Sequence, residues 1–164
     1  MIDSSDVVHY LASKHFSLST GVPCSYFKEL LLEIEDNEEI SYVPATREDE
    51  AVGIACGYYL GKQNCFVIMQ NSGLATIGDA LTSLAQLYRI PLLMFVSYRG
   101  LEPDKTFPEH ILMGDVTEAV LDAYGVPFWY LNGDDWKSTL DAAIESMNTN
   151  SSVVCILVEK EVII

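Results

Sequence analysis

Short apolar runs alternate with helix-periodic stretches along the whole chain. Residues 6–16 carry Val7, Val8, Leu11 and Ala12 on one helical face, and residues 25–35 carry Phe27, Leu30, Leu31 and Ile34. Between them, 17–23 reads as an extended segment and turn. Residues 40–43 predict a short strand, followed by a helix from Glu48 to near Gly61. Cys65-Phe66-Val67-Ile68-Met69, Pro91-Leu92-Leu93-Met94-Phe95-Val96 and Val153-Val154-Cys155-Ile156-Leu157-Val158 are continuous apolar runs, the pattern of strands covered on both faces. Helices over 75–88, 117–124 and 134–147 and an extended segment over 128–131 fill the intervals, and 98–114 reads as an irregular connection. The alternation predicts an α/β fold: a single three-layer open domain with a mainly parallel sheet flanked by helices. Ligands of such sheets bind beyond the carboxyl ends of the strands, which nominates residues 44–48, 70–75 and 97–110.

Composition narrows the partners. The 164 residues suffice for one domain with a substantial core, and 49% of them are hydrophobic. Nine Lys and Arg against 24 Asp and Glu give a formal net charge of -15. That balance argues against nucleic acid and anionic membranes, and an anionic substrate would need local basic residues. No apolar run reaches the roughly 18 residues of a membrane span, and the first six residues do not read as a signal peptide, so a cytoplasmic location is expected. Cys24, Cys56, Cys65 and Cys155 are widely spaced without a CxxC pair, which predicts buried, inert thiols and no metal site.

Glu48 carries the most information. It opens Glu48-Asp49-Glu50-Ala51-Val52-Gly53-Ile54-Ala55-Cys56-Gly57-Tyr58, an acidic start running straight into small residues. Ala51, Ile54 and Ala55 form a narrow face that another helix can approach closely. Glu48 lies a turn earlier, so its carboxylate is drawn toward a packed seam and needs a specific partner there. The plainer alternative is a helix N-terminal acid, stabilised by the macrodipole by roughly 0.3–1 kcal/mol. Asp49 and Glu50 read that way, with Thr46 as a cap.

These residues resemble a family. Glu48 and the helix to Gly57-Tyr58, then Asn71-Ser72-Gly73-Leu74-Ala75-Thr76, Ala80-Leu81 and Ile90-Pro91-Leu92-Leu93, resemble the pyrimidine-binding domain of thiamine-diphosphate enzymes over nearly the whole chain, 1–164. Within that family, Gly21-Val22-Pro23-Cys24, Pro44-Ala45-Thr46-Arg47-Glu48, Gln70-Asn71-Ser72-Gly73-Leu74 and Leu112-Met113-Gly114 are similar to sulfopyruvate decarboxylase alpha subunits and to the matching half of phosphonopyruvate decarboxylases. No Gly-Asp-Gly start of a diphosphate-binding domain is present; Asn132-Gly133-Asp134-Asp135 only looks similar. The resemblance therefore implies half of an active site, with the diphosphate-binding domain and its Mg2+ on a partner beta subunit.

The resemblance also implies a reaction and roles for single residues. The product would be sulfoacetaldehyde and CO2 from 3-sulfopyruvate, as in coenzyme M synthesis, or phosphonoacetaldehyde from phosphonopyruvate. Glu48 would hydrogen-bond the pyrimidine N1' of thiamine diphosphate and favour its reactive tautomer. Asn71, Ser72 and Gly73 would line the cofactor pocket; an ordinary strand-to-helix turn is the alternative. His110, just before the Leu-Met-Gly element, would handle a proton or the substrate. Arg47 and Arg99, with Lys105, are the basic residues near strand ends that a sulfonate or phosphonate would need. Two pyrimidine-binding and two diphosphate-binding domains assemble in this family, so self-association and an alpha-beta hetero-oligomer are expected. Small residues at Gly53, Ala55, Cys56 and Gly57 suit such an interface. A non-catalytic α/β binding or regulatory module and a carboligase remain open alternatives.

Overall fold

A computed structural model describes residues 1–101 and 107–164. Its elements are α1 (Ser4–Ser13), β1 (Phe16–Gly21), α2 (Lys28–Asp36), β2 (Ser41–Pro44), α3 (Glu48–Leu60), β3 (Asn64–Gln70), β4 (Leu92–Ser97), α4 (Pro108–Ala123), β5 (Phe128–Tyr130), α5 (Trp136–Asn150) and β6 (Val153–Val158). A 3-10 turn, Ser25–Phe27, leads into α2; another, Asn71–Ala75, follows β3, and a π-helical segment, Ala80–Gln86, comes after it.

The six strands form one sheet in the order β2-β1-β3-β4-β6-β5, and every ladder is parallel. Their carboxyl ends lie along one edge: Gly21 pairs with Pro44 and with Ile68, Gln70 with Ser97, and Ser97 with Val158. The order reverses direction between β1 and β3, which opens the strand-end crevice there.

Strand alternation divides the core into two layers. Phe66, Ile68, Leu93, Phe95, Val154 and Ile156 face α1, α2 and α5, meeting Val8, Leu11, Leu30, Ile34, Trp136 and Leu140. Val67, Met69, Leu92, Met94, Cys155 and Leu157 face α3, the π-helical segment and α4, meeting Ala51, Ala55, Cys56, Leu81, Ala85 and Leu121. The apolar runs read from sequence are thus buried on both faces, as parallel strands covered by crossover helices must be. All four cysteines are buried and free.

Three local expectations are corrected. The first helix ends at Ser13 rather than residue 16, because His15 takes a left-handed conformation (φ 67°) and Phe16 already belongs to β1. Residues 75–88 are not one regular helix but the end of a 3-10 turn followed by π-helical winding. The connection over 98–114 is irregular only in part, since α4 starts at Pro108, whose ring suits a first helical position. Lys105 lies outside the described residues.

Candidate functional site

The site is assembled from the segments that leave the ends of β1, β2, β3 and β4. Gly21 anchors the first two: Tyr42 Oη donates to its carbonyl at 3.0 Å and the Ala45 N–H at 2.9 Å. A Cβ at position 21 would overlap the Ile68 carbonyl oxygen, so only glycine lets β1 end this close to β3.

α3 then begins with three acids in different situations. Arg47 donates through Nε and Nη2 to the two oxygens of Asp49 at 3.0 and 2.9 Å, and this guanidinium holds the Asp49 carboxyl below its usual range. Glu50 turns back to accept from the Thr46 hydroxyl at 2.7 Å and the Thr46 N–H at 2.8 Å, which lowers its proton affinity in the same sense. Both are helix-start charges, Glu50 exposed and Asp49 partly exposed, as the sequence predicts. Glu48 does something else. Half-buried, it lies along the turn after β3, where Thr76 Oγ1 donates to its Oε2 at 3.1 Å. A Cβ on Gly73 would stand 2.5 Å from Glu48 Cγ, 2.9 Å from Cδ and 3.0 Å from Oε1. The missing side chain at 73 is therefore what admits the carboxylate to the crevice. Among the described residues Oε1 accepts no hydrogen bond, so one carboxylate oxygen is oriented and the other is available.

Asn71 is wholly buried beneath this turn. Its Nδ2 donates to the Arg99 carbonyl and to Thr117 Oγ1, both at 2.9 Å, which fastens the β3 turn to the β4 turn and to α4; its Oδ1 has no hydrogen-bond partner among the described residues. Ser72 is exposed and accepts from Gln70 Nε2 at 3.0 Å. α4 reaches the same edge through a glycine contact: a Cβ on Gly114 would stand 2.8 Å from the Arg99 carbonyl oxygen and 3.0 Å from Gly100 Cα, and Gly100 itself is at φ +97°. This explains the Leu112-Met113-Gly114 element physically. His110, expected in a loop, instead occupies the first turn of α4, with Phe107 edge-on to its ring at 5.3 Å.

The two arginines part company. Arg47 stays on the exposed side of α3 with Asp49. Arg99 turns toward the segment after β1, where its guanidinium lies 4.3 Å from the Tyr26 ring centre, donates to Ser25 Oγ and reaches Cys24 Sγ at 3.9 Å. Cys24 Sγ and Ser97 Oγ are 3.1 Å apart.

The structure thus joins Glu48 and Gly73 directly and places Asn71 beneath them as a brace. Sequence reasoning assigned no role to Thr76, Thr117, Ser25 or Tyr26. Thr76 lies within the Asn71-to-Thr76 block, and the polar Ser25-Tyr26 pair follows β1 just as the nominated segments follow other strands.

A thiamine pyrophosphate-type cofactor fits this corner, because Glu48 Oε1 is available and Gly73 leaves the space a Cβ would fill. Among the described residues no three His, Cys, Asp or Glu side chains converge as a metal-ligand group. Among them, too, no helix is long and apolar enough to cross a membrane.

Comparison with known proteins agrees. The family of thiamine pyrophosphate enzyme N-terminal TPP binding domains matches residues 4–122. Sulfopyruvate decarboxylase subunit alpha of Methanococcus maripaludis is 35% identical over 140 residues, covering 84% of this chain and 83% of that protein. The subunit alpha of Methanocaldococcus jannaschii is 36% identical over 127 residues, 77% of this chain and 75% of that one. Phosphonopyruvate decarboxylase of Streptomyces viridochromogenes is 37% identical over 122 residues, 74% of this chain but 31% of that protein. A solved structure from Mycobacterium smegmatis, of a protein described as thiamin diphosphate-dependent, superimposes on 96% of this chain and 30% of its own with TM-score 0.75; at 17% identity it supports the fold. The chain belongs to the thiamine pyrophosphate enzymes, as an N-terminal TPP-binding domain.

Proposed function

We propose that this chain is the alpha subunit of a thiamine diphosphate-dependent lyase that decarboxylates 3-sulfopyruvate to sulfoacetaldehyde and CO2. The observation that carries the reading is the Glu48 carboxylate, laid over Gly73, clasped by Thr76 and left with one oxygen available at the strand-end crevice. A domain that had kept the fold without the reaction would have no use for that arrangement. The match to sulfopyruvate decarboxylase alpha subunits supports the substrate. Phosphonopyruvate is the second reading, favoured by the 37% identity to a phosphonopyruvate decarboxylase.

The bound cofactor supplies the electron sink that decarboxylation needs. Glu48 would hold its pyrimidine nitrogen and pass a hydrogen bond to it through Oε1. Thr76 can tether one oxygen of that carboxylate, and Gly73 keeps the approach clear. Ser72 is exposed at the same turn, and Asn71 holds the turn against α4. His110, at the start of α4, would donate a hydrogen bond or a proton to the substrate. Arg99, rather than the Asp49-bound Arg47, would meet an anionic group.

A beta subunit would bring the diphosphate-binding domain and its Mg2+, enclosing Glu48 from the side this chain leaves open. Two alpha and two beta chains would form the smallest complete assembly. Support comes from the helix layer of α3, the π-helical segment and α4. A Cβ on Gly53 or Gly57 would meet nothing within 4 Å, and Leu60, Leu87, Tyr88, Leu112 and Val116 are exposed there.

Co-expression with the beta chain tests the reading. The complex should decarboxylate sulfopyruvate or phosphonopyruvate only with thiamine diphosphate and Mg2+ present. Turnover by the alpha chain alone, or none by the complex with either acid, overturns it.

A further inference from the structure

We propose that a cavity lined by Arg99 and Lys160 seats the tetrahedral anionic group of the substrate, and that Lys160 is a specificity-determining residue in it. This rests on the decarboxylase function proposed for the chain and extends it.

The cavity is about 400 Å³ and is lined by Ser25, Tyr26, Lys28, Arg99 and Lys160, among others. Its volume falls in the range of small-molecule sites, about 300–1,000 Å³. It lies beyond the carboxyl ends of β1, β4 and β6, on the strand-end edge that also bears Glu48. Three of the chain's nine Lys and Arg residues converge on it from segments far apart in sequence. Glu29 and Glu161 line it too, so its side chains set three positive charges against two negative, a local basic excess in a chain of net charge -15 and the kind of place an anionic substrate needs.

The cations are not equivalent. Lys28 is neutralised by Glu29 at 2.8 Å. Arg99 is oriented from two sides, its guanidinium stacked on the Tyr26 ring at 4.3 Å and donating to Ser25 Oγ. A planar donor held in this way suits two oxygens of a sulfonate or phosphonate. Lys160, just past β6, makes no ion pair among the described residues. Glu161 also lines the cavity, in a left-handed backbone conformation (φ 61°), and tempers the positive charge. The Asn71 bond to the Arg99 carbonyl ties this anion seat to the turn that carries Gly73, so both ends of the crevice are held by one buried amide.

The test uses the assembled alpha-beta enzyme. Lys160→Gln should raise KM for the sulfonated or phosphonated keto acid about tenfold, the scale of one lost charged hydrogen bond, while KM for pyruvate changes less than about twofold and kcat is kept. Lys160→Arg should restore most of the affinity. A parallel calorimetric titration with unreactive 3-sulfopropanoate, against propanoate as control, should show binding by the unmodified complex and about tenfold weakening in Lys160→Gln. Equal KM changes for the charged acid and pyruvate, or no change for either, overturn the proposal. If the unmodified complex decarboxylates neither acid, the reading of function falls, and the titration still decides the cavity: 3-sulfopropanoate binding that depends on Lys160 upholds the anion seat, and no binding overturns it. Arg99→Lys serves as the second variant, expected to weaken 3-sulfopropanoate binding in the same direction; undiminished binding counts against the seat.

Discussion

The two helix layers on either face of the sheet are built differently. The layer of α1, α2 and α5 closes its side with large side chains: Phe27, Leu30, Leu11 and Trp136 meet Phe66 and Phe95, and Leu32 is its single exposed large hydrophobic residue. The layer of α3, the π-helical segment and α4 packs with Ala51, Ala55, Cys56 and Ala85 inward, and Leu60, Leu87, Tyr88, Leu112 and Val116 remain exposed. The first layer is finished by this chain. The second brings its helices close to the sheet with small residues and leaves apolar surface outside, on the side where Glu48 stands. The layer with exposed apolar surface and the Glu48 carboxylate belong to the same half of the molecule, as the proposed sharing of the site with a beta chain requires.

The comparison breaks most readily at Glu48. Glu48→Gln keeps the shape of the side chain, so the complex should still assemble while turnover falls by at least about 100-fold, the scale of a lost acid–base group. Near-normal kcat would remove the functional half of the contrast. Gly73→Ala comes next. The new methyl stands 2.5 Å from Glu48 Cγ, so the carboxylate must leave its place; activity should fall about tenfold, with a loss of about 1–3 kcal/mol in urea unfolding. An active, equally stable variant would show that the turn gives way freely.

The inside and outside of α3 can be compared directly. Ala55→Leu pushes into the packed layer and should destabilise the chain by about 1–3 kcal/mol. Gly57→Leu enters open space and replaces a poor helix former, so the isolated chain should be unchanged or up to about 1 kcal/mol more stable, yet co-purify less of the beta chain. Unimpaired assembly of Gly57→Leu would take the outer face of α3 out of the interface.

The smallest effect concerns whether the second layer is sealed inside. Burial pushes the Cys56 thiol up to about 11 and the Cys65 thiol up to about 12, and raises Cys155 as well. These groups keep their protons in the folded chain, whereas unfolding returns them to about 9.0. The unfolded state therefore loses protons first, and their contribution to stability declines as pH rises above about 9. Alkylation by iodoacetamide at pH 8 should be at least about tenfold slower in the native chain than in urea. Rapid native labelling of Cys56 would show that the small-residue layer opens.

Much of this was legible in the sequence because long apolar strands and helical stripes are set by burial. The runs at 65–69, 91–96 and 153–158 became β3, β4 and β6 with boundaries shifted by a residue or two. Helix ends were less legible. The end of α3 at Leu60 was announced by Gly61, but the left-handed turns after α1, the π-helical segment and α5 fall on His15, Arg89 and Ser151, none of them the glycine that would have announced a stop. At the site, Glu48 stood out by the contrast between its charge and its small neighbours, and Gly73 through the resemblance. Thr76 as clasp and Asn71 as brace depend on how a turn folds back on a helix 28 residues earlier in one case and reaches α4 in the other, and periodicity carries no such information. Lys160 escaped for a simpler reason, since the strand-end rule was applied to β2, β3 and β4 and not to β6.

The Thr76 hydroxyl has two acceptors within reach, Glu48 Oε2 at 3.1 Å and the Gly73 carbonyl at 2.9 Å, and a single hydrogen to give. Whenever it turns to the backbone, the carboxylate loses its tether and can swing. An incoming ring nitrogen on the opposite oxygen would supply the missing second handhold, so the side chain would be steadied by the molecule it is proposed to serve.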